Sequence, residues 1–222
     1  MRRRRTVSID SDILVVGGGM SGCGATYESR YWGRDLKIVC AEKANIERSG
    51  AVAQGLYAIN CYMGMQWNEN QPEDHVRYAR NDLMGLVRED LGYDIARHVD
   101  STVHMFESWG LPIFKNEDGR YKREGRWQIM IHGESYKPIV AEAAKKAIGP
   151  ENVYERLFVS HLLTDESSGR VVGAVAFSVR EHKVYVFRCK AAICSAGGAT
   201  GVFRSCAIRR PAVTSVKVSG RS

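Results

Sequence analysis

No run of apolar residues in this chain approaches the roughly 20 needed to cross a bilayer as a helix, so a transmembrane helix is not expected. A basic N-terminus, Arg2–Arg5, is present, but Thr6–Asp12 supplies no apolar signal-peptide core after it; the expected compartment is the cytoplasm. Clustered cysteine is also missing. Cys23, Cys40, Cys61, Cys189, Cys194 and Cys206 are scattered, none forms C-x-x-C, and several sit in apolar runs. They read as reduced core residues, and neither a zinc nor an iron–sulfur site is expected from this chain alone. His98 and His104 do not stand at i, i+4, so they make no metal pair. The body also lacks a charge excess. Of the net +7, four charges are Arg2–Arg5, and Arg209, Arg210, Lys217 and Arg221 add four basic residues near the other end. A nucleic-acid partner is therefore not expected of the domain itself.

What is present is the composition of a globular protein, 44% hydrophobic and 26% charged, long enough for one good core and a subdomain. The chain is organised around residues 12–22. Ile13–Val16 is a short, β-branched apolar run that reads as a buried parallel strand. Gly17, Gly19 and Gly22 follow as G-x-G-x-x-G. In that motif the first glycine permits the tight turn, the second lets backbone approach a pyrophosphate, and the third lets the next helix pack on the strand. Met20 and Ser21 open that helix, where unpaired N–H groups favour an anion. Leu36–Cys40 is a second apolar strand ending near Glu42, 20 residues past Gly22, placed to accept from ribose hydroxyls. The segment Lys43–Leu56 is small and Gly-rich, as if something flat lies against it.

Further on, Pro72 starts a helical stretch, and Leu91–Trp109 is a second one stopped by Gly110 and Pro112. Asn116–Gly119 reads as a hairpin turn. Arg123–Ser135 is dense in acids, arginines, histidine and tryptophan, and reads equally well as a polar-edged strand and loop or as a reactive surface. Lys137–Ile148 is expected to be a helix starting at Pro138. Val153–Leu163, Val171–Val179 and Val184–Cys189 read as an antiparallel β-meander. Lys190–Cys194 is a last strand ending at Ala196, Gly197 and Gly198.

Gly17–Gly22 with Glu42, Arg48–Gly55 and Ala196–Ala199 together resemble the fumarate reductase/succinate dehydrogenase class of FAD flavoproteins. Within it, Asn45–Asn60, Asp82–Leu91 and Trp127–Pro138 resemble the α subunits of adenylylsulfate (APS) reductases, over about Asp12–Arg204. The resemblance implies an α/β fold: a Rossmann-like FAD-binding domain with a doubly wound parallel sheet, a small antiparallel meander and inserted helices, incomplete at the C-terminus. It implies FAD as cofactor, held by Gly17, Gly19, Met20, Ser21, Gly22, Glu42, Lys43, Ser49, Gly50, Ala51, Gln54, Gly55, Ala196, Gly197 and Gly198. Gly50 stands where covalent members carry histidine, so the flavin is expected to be noncovalent. The implied reaction interconverts APS with sulfite and AMP through a sulfur adduct at flavin N5. Electrons are exchanged with an iron–sulfur β subunit. Asn60 and Glu124 match substrate-side residues of the family. Arg123 and Arg126, by residue type, suit a sulfate or phosphate.

The resemblance stops at Arg204. The expected domain layout is a basic, disordered arm at 1–11, a partial FAD-binding domain at 12–204 and a divergent, disordered tail at 205–222, without the family's capping and helical domains. A truncated or frame-shifted product, poorly stable and inactive alone, is the expectation. Two other readings stay open: a fumarate-reductase-type flavoprotein acting on a dicarboxylate or aspartate-like substrate, and a non-catalytic FAD-binding remnant.

Overall fold

The computed structural model describes residues 5–198 and the backbone of residues 217–218. Residues 1–4 of the expected arm and the rest of the expected tail, with Cys206, lie outside the described residues. The chain divides into two compact units, residues 1–54 with 140–222, and residues 55–139.

The first unit is built on a parallel sheet of strands β2 (Ile13–Val16), β3 (Ile38–Ala41), β7 (Val153–Tyr154) and β11 (Ala191–Cys194), in the order β11-β2-β3-β7. Leu14, Val15, Val16 and all four residues of β3 are buried. Continuous apolar burial of this kind is what a strand covered on both faces requires. Helix α1 (Met20–Trp32) follows β2 and buries its small residues Gly22, Cys23 and Thr26. The chain then leaves, builds the second unit, and returns to place β11 beside β2, with Ile193 opposite Val15.

The predicted meander is present as β8 (Leu157–Thr164), β9 (Val171–Ser178) and β10 (Lys183–Arg188), paired antiparallel. Phe187, Ala174, Ala176 and Leu157 from the meander share one core with Leu14, Val16, Val39 and Ala41 of the parallel sheet. Each large aliphatic side chain sealed in this way contributes about 1.5–3 kcal/mol. Lys217–Val218 adds a short parallel strand, β12, beside His161–Leu162.

The expected disordered arm is corrected here. Arg5–Asp10 forms strand β1, parallel to β10 over six residue pairs. Ile9 is buried in the core and Val7 packs against it, while Asp10 closes the end through two hydrogen bonds from the Arg188 guanidinium, at 2.5 and 2.9 Å. Alternation of Val7 and Ile9 with polar neighbours fits an edge strand with one buried face.

The second unit contains α2 (Pro72–Asp82), α3 (Glu89–Ser108) and a small sheet ordered β4 (Ala58–Ile59), β6 (Gln128–Met130) and β5 (Arg123–Glu124). Pro72 occupies the first turn of α2, and the Asp74 carboxylate accepts from the Gln71 N–H at 3.1 Å, closing the helix start. Helix α3 stops where Gly110 N–H donates to Glu107 and Leu111 N–H to Phe106. The Asn116–Gly119 turn forms, with Lys115 bridged to Tyr121 across it. Helix α4 (Gly133–Ile148) starts earlier than the expected Lys137, so Pro138 lies inside it rather than at its head. The single domain expected over 12–204 is thus two units, with 55–139 inserted between β3 and β7.

Candidate functional site

The glycine turn sits where the C-terminal ends of β2, β3 and β11 converge, the place where open parallel sheets bind ligands. Gly17 has φ +97°, and a Cβ there would lie 2.5 Å from the Ser195 carbonyl oxygen. A Cβ on Gly22 would lie 1.7 Å from the Gly17 carbonyl oxygen. Neither position admits a side chain. The Gly17 N–H donates to Ala41 and the Ser195 N–H to Val16, both at 2.8 Å. Three strands thus fix one turn.

Glu42 is 4% exposed. Its carboxylate accepts from the Gly18 N–H at 2.6 Å and from the Ala44 N–H at 2.8 Å. The acid expected to meet a ribose therefore also ties the glycine turn to the end of β3, and each oxygen retains a lone pair for a hydroxyl. Ser49, also buried, donates to the Gly18 carbonyl at 3.2 Å, and Cys23 Sγ donates to the same oxygen at 3.3 Å. Glu155 holds the following loop by accepting from the Ile46 N–H at 2.7 Å and the Asn45 amide at 3.0 Å. Ser195, Cys23 and Glu155 were not singled out from the sequence. The position of Glu155, directly after Tyr154 at the end of a parallel strand, was the available signal.

Around this fixed frame the surface is open backbone. Gly19 caps α1 with no side-chain hydrogen bond, and no acidic residue occupies the first turn. The first amides of the helix are left for an external acceptor. Ser21, Gly50, Ala51, Gln54, Gly197 and Gly198 are exposed, Met20, Lys43 and Ala196 half-buried. A Cβ on Gly50 would come within 3.1 Å of the Gly19 Cα. Buried residues hold the turn and exposed ones line a bare cradle, which suits the pyrophosphate and flat parts of a dinucleotide.

These residues match a known pattern along nearly the whole chain: positions 12–221 fit the family described as FAD binding domain. The chain belongs to the FAD binding domain family. The expected FAD cofactor and the α/β fold follow from that membership. The chain is 48% identical to the adenylylsulfate reductase α subunit of Megalodesulfovibrio gigas, over 87% of this chain and 32% of that protein. It superposes on the adenylylsulfate reductase structure of Archaeoglobus fulgidus with TM-score 0.86 and 59% identity, covering 91% of this chain and 32% of that one. A structure of adenosine-5-phosphosulfate reductase with sulfite as a covalent adduct gives TM-score 0.85 and 60% identity, over 90% and 32%. The expected resemblance is borne out, and the chain spans about a third of the length of these relatives.

Gly55, Asn60 and Glu124 belong to the second unit of this FAD binding domain protein. Asn60 leaves β4, and its Oδ1 accepts from the Cys61 N–H at 2.9 Å, with Cys61 at φ +72°. Glu124 pairs with Gln128 across β5 and β6, and Ile59 with Ile129 across β4 and β6. Asn60 and Glu124 are therefore level with one another, two strand spacings apart, roughly 10 Å. Both are exposed. Asp100 on α3 supports the loop after Asn60 by accepting from the Met63 and Met65 N–H groups, each at 2.9 Å. Cys61 Sγ lies 3.5 Å from His75 Nε2. Burial pushes the thiol up and the imidazole down, so both stay neutral.

The two arginines expected at an anion are otherwise engaged. Arg123 pairs with Glu69 at 2.8 Å and lies over the Tyr62 ring at 5.2 Å. Arg126 donates to Asn70 Oδ1 at 2.9 Å and stacks on Trp127 at 4.7 Å. Arg123 is spent on a local carboxylate that residue type alone did not reveal. His104 bonds to Gln66 and Tyr121. Among the described residues no group of three or more His, Cys, Asp or Glu side chains is placed to hold a metal, and no helix is long and apolar enough to cross a membrane. Of the cysteines expected in the core, Cys23, Cys40 and Cys189 are buried, but Cys61 is half-buried and Cys194 exposed.

Proposed function

We propose that this chain is the FAD-binding part of an APS reductase α subunit, taking part in the interconversion of APS with sulfite and AMP. The observation that carries the reading is the open glycine cradle in a chain 59% identical to an adenylylsulfate reductase of the same fold. FAD would rest on Gly17–Gly22, Glu42, Lys43, Ser49–Ala51, Gln54, Gly55 and Ala196–Gly198, with its pyrophosphate at the first amides of α1. Bound FAD supplies a centre that takes two electrons at once and passes them singly. Gly50 has no side chain to bond the flavin, so attachment is noncovalent. Asn60 is oriented by the Cys61 N–H, which leaves its amide donors for a substrate oxygen, and Glu124 offers an exposed carboxylate on the same sheet.

The electron partner is proposed to be an iron–sulfur β subunit, since this chain's cysteines are unclustered. The free thiols among the described residues agree with a reducing cytoplasm. Spectroscopy on the FAD-saturated chain tests the reading. Sulfite should bleach the flavin absorption and succinate should leave it unchanged, and acid precipitation should release all flavin to the supernatant. Flavin that stays with the acid pellet would disprove noncovalent attachment. Bleaching by succinate instead of sulfite would move the chain to dicarboxylate chemistry.

A further inference from the structure

One loop of the second unit carries sulfur at every other position, in Cys61, Met63 and Met65. Cys61 and Met65 pack against one buried cluster, Met63, Ala96 and Trp127, while the Tyr62 ring between them goes to Tyr121 instead. The loop is fixed through its backbone. Asp100 accepts from the Met63 and Met65 N–H groups, the Asn70 amide donates to the Met63 carbonyl at 3.2 Å, and the Tyr62 N–H donates to Trp127 at 3.0 Å. Sulfur ligands held in this way lose little freedom on meeting an ion.

His75 of α2 faces the loop. Its Nε2 lies 3.5 Å from Cys61 Sγ, and its Nδ1 is buried with no hydrogen-bond partner. The ring stands edge to face against Trp127 at 5.8 Å. In the metal-free protein the 3.5 Å separation is a thiol–imidazole hydrogen bond. It is also the separation of two ligands on one ion. An ion of zinc's size bonds thiolate at about 2.3 Å and imidazole at about 2.0 Å, which between tetrahedral and trigonal angles sets sulfur and nitrogen about 3.5–3.8 Å apart. Cys61, Met65 and His75 are each half-buried, so the site has an entry from solvent.

The donor set decides which ion. Among the described residues no carboxylate, second imidazole or second thiol makes up a group of three with Cys61 and His75. The remaining donors are thioethers, and thiolate with thioether is the set that selects copper(I). We propose that Cys61, His75 and Met65 bind one copper(I) ion, with Met63 and Trp127 as its dry floor. Binding exchanges a proton for the ion. The Cys61 S–H bond breaks, a copper–sulfur bond forms, the proton leaves to solvent, and neither copper nor sulfur changes oxidation state. The Cys61 N–H is what orients Asn60, so occupancy also stiffens the segment that carries Asn60.

Anaerobic titration of the full chain with copper(I), against bicinchoninate as competing chelator, tests this. One equivalent should bind tightly, and a tenfold excess of zinc(II) should not displace it. Cys61→Ser, His75→Gln and Met65→Leu should each raise the copper(I) dissociation constant at least tenfold. Cys194→Ser, which removes the exposed thiol, should leave it unchanged. X-ray absorption at the copper edge should show sulfur and nitrogen ligands together. Met65→Leu keeps an apolar side chain of similar volume, so it carries the test even where circular dichroism shows that another variant misfolds. Unchanged affinity in Cys61→Ser or Met65→Leu, an equal loss in Cys194→Ser, displacement by zinc(II), or a ligand shell without nitrogen would overturn the proposal.

Discussion

Gly22 shows how far a single residue can be constrained. Its missing side chain is the space taken by the Gly17 carbonyl oxygen, 1.7 Å from where a Cβ would stand. Backbone cannot yield there without moving α1 from β2. Gly22→Ala is expected to destabilise the chain by about 1–3 kcal/mol, the cost of overpacking a tight contact, and to weaken FAD binding more than tenfold. Chemical denaturation and flavin fluorescence quenching measure the two effects. Glu42→Gln tests a different dependence. The carboxylate accepts from two N–H groups, at Gly18 and Ala44, while glutamine offers one acceptor and turns a donor toward the other. A loss of about 1–3 kcal/mol is expected for a buried group left badly paired. Unchanged stability in Glu42→Gln would mean that the acid serves only the ligand.

Among the elements, the turn from β8 to β9 carries a pH dependence. Hydrogen bonds from the Ser167 and Ser168 hydroxyls, with the Ser168 N–H, hold the Asp165 carboxyl down at about 2, below its ordinary 3.8. A depressed acid stabilises the fold while it is ionised. The contribution is therefore complete above about pH 4 and lost as pH falls through about 2. A carboxyl-carbon NMR titration should find Asp165 still ionised at pH 3, and Ser168→Ala should bring its midpoint back toward 3.8. The longer elements were legible because each announces itself locally. The β2–α1–β3 unit shows in its apolar runs and glycines, the meander in alternation between turns, and α2 and α3 in their caps. What was not legible depends on distant partners. Arg5–Asp10 reads as a charged arm until β10, almost 180 residues later, offers its edge. The second unit's small sheet has strands of two or three residues, too short for any period to register. Arg123 looks like an anion ligand until the fold brings Glu69 to it. The glycines of the turn, by contrast, were legible because glycine at a crowded turn is dictated by local geometry.

For the whole molecule, the division into two units puts the cradle in one and Asn60 with Glu124 in the other. Ligand binding should then be measurable as global stability. A ligand that binds only the folded form at a hundred times its dissociation constant adds about 2.7 kcal/mol, which in a chain of this size raises the thermal midpoint by roughly 5–10 °C. FAD should produce that rise, while riboflavin, which has no pyrophosphate for α1, should produce little. Equal shifts from both would argue that the glycine turn carries none of the affinity. The charge distribution also belongs to this scale: +7 overall, gathered mostly at the two ends, leaves the body without a field that would attract polyanions.

The contact of Gly17 with Ser195 has a consequence for the newborn chain. The turn is spelled out within the first 22 residues, yet its third wall arrives only with Ser195. At about 5–20 residues per second the ribosome needs roughly 10–40 s to deliver that wall. Through that interval Ile13–Val16 has β3 on one side and nothing on the other. The glycine turn can therefore close only after the last strand of its sheet has been made.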